Sequence, residues 1–326
     1  MDENVLVSII CDTYNHENYI ADAIESFLTQ KTNFKYEVLI HDDASKDKTA
    51  GIIRDYEANF PDIIKPIYQK ENQHSKATEG IRVGWINRAR ATGKYYALCE
   101  GDDYWSNSAK LQEQVDYMEG HPECSVCVHA AISVDAKTKK KIGEKRPDKH
   151  DREFSIEEVI EGGGGLFATN SLLYRRDLGD IRPDFYYKNI TPFSDYQLMI
   201  LLSLIGTVHY VDKFMSIYRT NVPGSWTSRT SISLDNMEKH VRDVNNMLNE
   251  VNEYTERKYN CTIEKTKLRN EFDLLLYKEN YKQIKDVEYK NFYNSLHTFE
   301  KIKIFIKRYF PNAVKLLRKL LRGIKL

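Results

Sequence analysis

The stretch VSIICDTYNHENYIADAIESFLTQ, residues 7–30, reads as a strand, a polar turn and a helix in succession. The run LVSIIC (6–11) is almost continuously apolar, as expected of a strand covered on both faces in a parallel sheet. Further on, Ile20, Ala23, Ile24, Phe27 and Leu28 recur at i, i+3, i+4, i+7 and i+8, so 17–30 predicts a helix burying one stripe. The alternation continues outward. Apolar runs YEVLIH (36–41), IIKPIY (63–68) and YYALCE (95–100) are separated by helical windows at 46–59 and 79–91. This order predicts an α/β fold, a mostly parallel Rossmann-like sheet flanked by helices, with ligands bound beyond the carboxyl ends of the strands.

Beyond residue 100, SAKLQEQVDYME (108–119) has helical period, and His121-Pro122 stops it before a strand at 125–134. Residues 135–153 are Lys-rich but interrupted by acids, which favours a solvated loop or hairpin tip over a nucleic-acid patch. Gly162 to Gly165 permit unusual backbone angles or close approach of a ligand, and they lack the Lys-Ser/Thr of a phosphate loop. Windows 194–205, 235–252 and much of 263–300 read as helices, so the later part of the chain is largely α.

With 326 residues, 41% of them hydrophobic, the chain has the mass for a sizeable core, which excludes general disorder. Five cysteines are sparse and odd in number, and Cys11 and Cys99 fall in apolar runs, pointing to a reduced compartment. Cys124 and Cys127 form a CxxC without a second pair, and the alternation in CSVCVHA favours a strand over a metal site. The acidic start MDENVLVSII lacks signal-peptide character, and no run of 18 apolar residues is present. Net charge is zero, yet residues 301–326 carry nine basic and no acidic side chains, so the other 300 positions sum to −9.

Two strand ends are conspicuously acidic. HDDASKDKT places Asp42, Asp43, Ser45 and Asp47 in six positions; Ser45 or Asp47 can cap the following helix, but capping leaves the adjacent carboxylate pair unexplained. CEGDDYW places Glu100, Asp102 and Asp103 in four positions. An Asx-rich turn is one reading of that cluster. A hard divalent cation completed by substrate phosphates is the other, and it relates the two clusters.

VSIICDTYNHENYIADAIESFLTQ, EVLIHDDASKDKT, YALCEGDDYW and SDYQL (194–198), in that order over roughly residues 5–230, resemble a family 2 glycosyltransferase of the GT-A fold, of bacterial polysaccharide-assembly type. The resemblance implies that Thr13, Tyr14 and Asn15 contact the donor nucleotide, that Asp42 or Asp43 binds the base, and that Asp102 lies near the ribose. It further implies Asp103 on the metal, Mn²⁺ or Mg²⁺, with Glu100 at a position where Asp is usual. Asp195 matches the catalytic base; a dipole-stabilising acid at a helix N-terminus is the plainer reading of that residue. Thr169 and Asn170 would line the acceptor side, and Arg219, Ser225, Trp226 and Arg229 the donor and acceptor loop, with Asn221 where the family frequently has His.

The expected division is a catalytic domain at 1–230, a helical region at 231–298 and a basic segment at 299–326. Past Pro311, Ala313, Val314, Leu316, Leu317, Leu320, Leu321 and Ile324 share one helix face, opposite Lys315, Arg318, Lys319, Arg322 and Lys325. With no acidic residue to moderate its charge, such a helix is expected on an anionic membrane surface, with packing on its own domain or a second subunit as the alternatives and oligomerisation left open. The expectation is an inverting, metal-assisted transfer from a nucleotide-sugar to a glycan or lipid-linked saccharide, in capsule, O-antigen or exopolysaccharide assembly, at the cytoplasmic face of the cell membrane and without nucleic acid. A nucleotidyltransferase or a non-catalytic sugar-nucleotide-binding or glycan-binding subunit are the alternatives.

Overall fold

The structure, a computed structural model, describes residues 4–73, 83–179, 183, 194–225 and 233–310. The chain divides into two compact units, residues 1–229 and 230–326.

In the first unit, strands β1 (Val5–Thr13), β2 (Lys35–Asp42), β3 (Ile64–Tyr68) and β4 (Tyr95–Leu98) run parallel in the order β3-β2-β1-β4. Helices α1 (Ile20–Leu28), α2 (Thr49–Asn59) and α3 (Val83–Arg90) connect them, close to the expected windows. With a ladder on each edge β1 is an interior strand, and Val7, Ile9 and Cys11 on one face and Ile10 on the other are all buried. The polar residue inside this run, Ser8, is satisfied: its Oγ donates to Glu37 Oε1 at 2.7 Å and accepts from Gly93 N–H at 2.9 Å. Burial opposes the Glu37 charge, but Lys65, the Thr92 N–H and hydroxyl, and Ser8 win, holding its carboxyl at about 2.

The sheet is mixed beyond these four strands. It adds β5 (Tyr104–Trp105), β6 (Cys124–Asp135), β7 (Lys141–Lys145), β8 (Arg152–Phe154), β9 (Leu173–Arg175) and β10 (Thr207–Thr220). β9 runs antiparallel to both β4 and β6 and bridges the halves, while β6 and β10 are parallel. The Lys-rich segment is a hairpin in which β7 pairs with β6, and β8 then joins β10. Cys124 and Cys127 lie buried within β6, and Cys11 and Cys99 are likewise buried free thiols. Helices α4 (Lys110–Gly120), α5 (Ile156–Gly162) and α6 (Ser194–Ile205) complete the unit. A capping box between Ser155 and Glu158 starts α5, and Gly163, at φ +67°, ends it.

The second unit is helical: α7 (Leu234–Tyr254), α8 (Asn260–Tyr277), α9 (Lys290–Ser295) and α10 (Thr298–Tyr309). One of its cores comprises Phe272, Leu275, Tyr281, Ile284, Tyr289 and Ile304. The start of the basic segment is therefore part of a core through Ile304, while residues 311–326, with the predicted cationic helix, lie outside the described residues. Among the described residues no helix is long and apolar enough to cross a membrane.

Candidate active site

β1 and β2 end in register, Thr13 opposite Asp42, and the loops that follow are laced together. Asn15 N–H donates to Ser45 Oγ at 2.9 Å, and Lys46 N–H returns a bond to Asn15 Oδ1 at 2.8 Å. His16 N–H donates to Thr49 Oγ1 at 2.8 Å, Glu17 N–H to Asp47 Oδ2 at 3.1 Å, and Lys48 N–H to Glu17 Oε2 at 3.1 Å. Asp47 also accepts from Thr49 N–H, so it serves the start of α2 as expected, whereas Ser45 serves the neighbouring loop. Asn15 and Ala44 both hold left-handed φ, 57° and 62°, a strained geometry that such lacing can sustain.

These loops wall a cleft of about 930 Å³. Thr13, Tyr14, Asn15, Asp42, Asp43, Glu100 and Asp102 all line it, as do Asp12, His16, Ser45, Arg54 and Tyr68, which the sequence reading did not assign to a ligand. Arg54 stacks over Tyr68 at 4.4 Å on its wall. Asp42 is buried, which raises its carboxyl against the hydrogen bonds from Ser45, and its Oδ1 has no partner. Asp43 Oδ1 accepts from Gln73 N–H at 2.6 Å. Thr13 Oγ1 and His16 Nδ1 are buried without partners.

The acidic turn after β4 is pressed onto β1. Gly101 N–H donates to Asp12 O at 3.0 Å, and a Cβ on Gly101 would lie 2.6 Å from Thr13 Oγ1, so only glycine fits. The flanking Glu100 and Asp102 side chains face the cleft, with Asp102 Oδ2 4.0 Å from His16 Nε2. Glu100 is open to solvent along the cleft, but the protein atoms packed around its carboxyl, and then the charges of Asp102, Asp195, Asp103 and Asp12, push that carboxyl above the usual range.

Asp103, expected on the metal, points elsewhere. Its Oδ1 accepts from Arg219 N–H at 2.7 Å and its Oδ2 from Asn170 Nδ2 at 3.1 Å, and it does not line the cleft. The turn between β4 and β5 aims Asp102 into the cleft and Asp103 at Arg219 and Asn170, so the two adjacent aspartates have different surroundings. Arg219 and Asn170, expected to contact substrate, are buried members of the same network. Arg219 donates to Asp102 O at 2.9 Å and pairs with Asp22, its guanidinium 4.5 Å over the Tyr104 ring. Asn170 Nδ2 also reaches Ile217 O, its Oδ1 accepts from Ser216, and its carbonyl accepts from the Trp105 indole. The network ties the acidic turn to β10.

Asp195 sits in the first turn of α6, and Thr169 Oγ1 donates to its Oδ2 at 2.5 Å. Both line a small depression with room for little more than one water, shared with Gly163 and Gly164. Asp195 does not line the main cleft, but its charge bears on Glu100, which does. Asn221, at φ 61°, donates to Asp135 and turns the chain so that Pro223, Gly224 and Ser225 line the cleft. Trp226 and Arg229 lie outside the described residues.

Among the described residues no group of three His, Cys, Asp or Glu converges as a cation cage. The donor set nevertheless fits a hard divalent ion that takes one or two carboxylates and completes its shell from a diphosphate: Glu100 and Asp102 are oxygen donors, crowded by like charge, at the edge of an open cleft.

Residues 8–178 match the family model described as glycosyl transferase family 2. An uncharacterised protein of Mycobacterium tuberculosis is 34% identical over 223 residues, 68% of this chain and 61% of that one, so the chain spans under two thirds of that relative's length. The Escherichia coli enzyme WfaP, a UDP-Glc:alpha-D-GlcNAc-diphosphoundecaprenol beta-1,3-glucosyltransferase, is 35% identical over 114 residues, 35% of this chain and 41% of WfaP. Among solved structures, residues 1–349 of S. aureus TarS in complex with UDP-GlcNAc superpose with a TM-score of 0.58 at 16% identity, over 92% of this chain and 78% of TarS 1–349. That likeness gives the fold as GT-A.

Proposed function

The chain belongs to glycosyl transferase family 2, and on that premise we propose that it is an inverting, metal-assisted glycosyltransferase using a nucleotide-sugar donor in cell-surface polysaccharide assembly. The observation that carries the reading is a pair of carboxylates on the cleft wall, with a third acidic residue on a neighbouring element. Glu100 and Asp102 line the donor-sized cleft, and Asp195, from a different element, lies near enough to raise the cost of charge on Glu100.

In this reading the nucleotide occupies the cleft between the laced loops, with Asp42 or Asp43 at the base and Tyr14 beside it. Glu100 and Asp102, in place of Asp103, would hold Mn²⁺ or Mg²⁺. Bound there, the ion supplies electrostatic stabilisation of the departing diphosphate. Asp195, oriented by Thr169, accepts the proton of the attacking sugar hydroxyl as the new bond forms on the opposite side of the anomeric carbon. One displacement inverts that centre without a covalent enzyme intermediate. WfaP's name supports a lipid-linked saccharide as the acceptor class, which would place the chain at the cytoplasmic face of a membrane. Nucleoside diphosphate release from a panel of UDP-, GDP- and dTDP-sugars tests the reading. Asp195→Asn should keep donor binding and lose transfer; normal turnover by that variant would remove Asp195 from the chemistry.

A further inference from the structure

Helix α10 presents two unlike edges. One edge is docked: Ile304 is buried with Phe272, Leu275 and Tyr281, Lys307 Nζ donates to Glu279 Oε1 at 2.5 Å, and Arg308 donates to Tyr281 O at 3.1 Å. The other edge carries Phe299, Ile302, Phe305, Ile306 and Tyr309, which at 100° per residue fan across about 120°. Each of these is between 42% and 75% exposed, and Phe310 just past the helix end is 56% exposed. A stripe of this width ordinarily faces a core; this one faces out.

We propose that this face docks the protein on an anionic lipid bilayer, with α10 lying in the headgroup boundary and its aromatic side chains entering the acyl edge. Charge selects that occupant. Residues 301–326 carry nine bases and no acid, so a second copy meeting this face with the same face would bring like charge to like charge, whereas phosphate headgroups complement it. Tyr309, a ring with one polar end, suits the same boundary, while Phe299, Phe305 and Phe310 supply apolar area for the acyl edge. The docked edge fixes which side is presented: Ile304 holds α10 to its unit, so the exposed face is oriented before any membrane is met.

The experiment is co-sedimentation of the full chain with vesicles of pure phosphatidylcholine and of phosphatidylcholine with one third phosphatidylglycerol. The variant Phe299→Ser/Phe305→Ser/Ile306→Ser alters only exposed positions, and an unchanged melting temperature establishes that it folds. The expected result is binding to the anionic vesicles that exceeds binding to the neutral ones, weakens with salt and falls at least about tenfold in the variant. Three results would overturn the proposal. They are an unmodified protein that remains in the supernatant, a variant that binds as well as its parent, and light scattering that shows a dimer lost in the variant without vesicle binding by the parent.

Discussion

Replacing Gly101 by alanine adds one methyl group at the point where the acidic turn rests on β1. That methyl would sit 2.6 Å from Thr13 Oγ1, 2.7 Å from Thr13 Cβ and 3.1 Å from His16 Nδ1. Ordinary carbon contacts are about 3.5–4.0 Å, so something must yield by roughly 1 Å. Thr13 is held in the β1–β2 ladder and His16 by its N–H bond to Thr49, which leaves the turn itself to move, carrying Glu100 and Asp102 with it. Overpacking of this kind costs about 1–3 kcal/mol of stability. A displacement near 1 Å in a positioned catalytic constellation costs on the order of 10²-fold in rate. The assay pairs guanidinium denaturation with calorimetric titration of UDP and GDP in the presence of Mn²⁺, followed by turnover on the active donor. Gly51→Ala is the control: Gly51 lies in α2 with nothing within 4 Å of the new methyl, and should gain about 0.5–1 kcal/mol without touching the cleft. If Gly101→Ala binds nucleotide and turns over like its parent, the close approach does not set the positions of the two carboxylates.

Three further outcomes are expected. Asp102→Asn should abolish the divalent-cation dependence of nucleotide binding with stability within about 0.5 kcal/mol of the parent, while Asp103→Ala should cost about 2 kcal/mol or more by leaving the buried Arg219 N–H and one of the two Asn170 amide N–H groups without their acceptor. Equal denaturation midpoints for the two variants would erase that distinction. Glu37→Gln should lose roughly 2–3 kcal/mol at pH 7. The carboxyl lies near 2 against an ordinary 4.5, and Lys65, 41% exposed, is partly screened. Because the folded value is depressed, that contribution is present above pH 4.5 and vanishes as pH falls toward 2, so a pH-independent difference in denaturation would contradict it. Truncation after residue 310 should leave the melting of the second unit intact, whereas truncation after 297 removes Ile304 from its core and should cost about 2 kcal/mol or more; identical melting curves would show that α10 packs on nothing.

The parallel half of the sheet was legible because buried parallel strands are continuous apolar runs and their crossover helices keep a clean period. β10 was not, although it is 14 residues long. Its ladder with β6 shifts register between Val211 and Phe214 and again between Phe214 and Ser216, so the side chains of VDKFMS do not alternate. β9, with three residues, is too short to carry a period. At the site, the acidic clusters announced oxygen chemistry but not which carboxylate faces the cleft. Asp102 and Asp103 are chemically identical neighbours, and only the course of the turn between β4 and β5 separates a cleft-facing group from a buried tie. Arg219 and Asn170 misled for a related reason: their donors suit phosphate or sugar equally well, and here the protein's own backbone and carboxylates take them. His16 lay inside the quoted NHENY turn, and a residue spacing cannot show that its ring reaches Asp102. Arg54 and Tyr68 stand fourteen positions apart, on a helix and on the strand beside it, and only the crossover brings them together.

The lacing of the loops at 13–17 and 43–49 bears on how a donor would be told from its analogues. Five cross-loop hydrogen bonds from backbone N–H groups hold this part of the cleft in one shape before any nucleotide arrives. A ligand entering it does not meet the entropy cost of ordering these walls, so more of each contact reaches the observed affinity. The same stiffness denies a misfit any accommodation: a base of the wrong width finds walls that cannot part without breaking several of those bonds together. Discrimination at this end of the site is thus a property of the two backbones as much as of the side chains that touch the ligand.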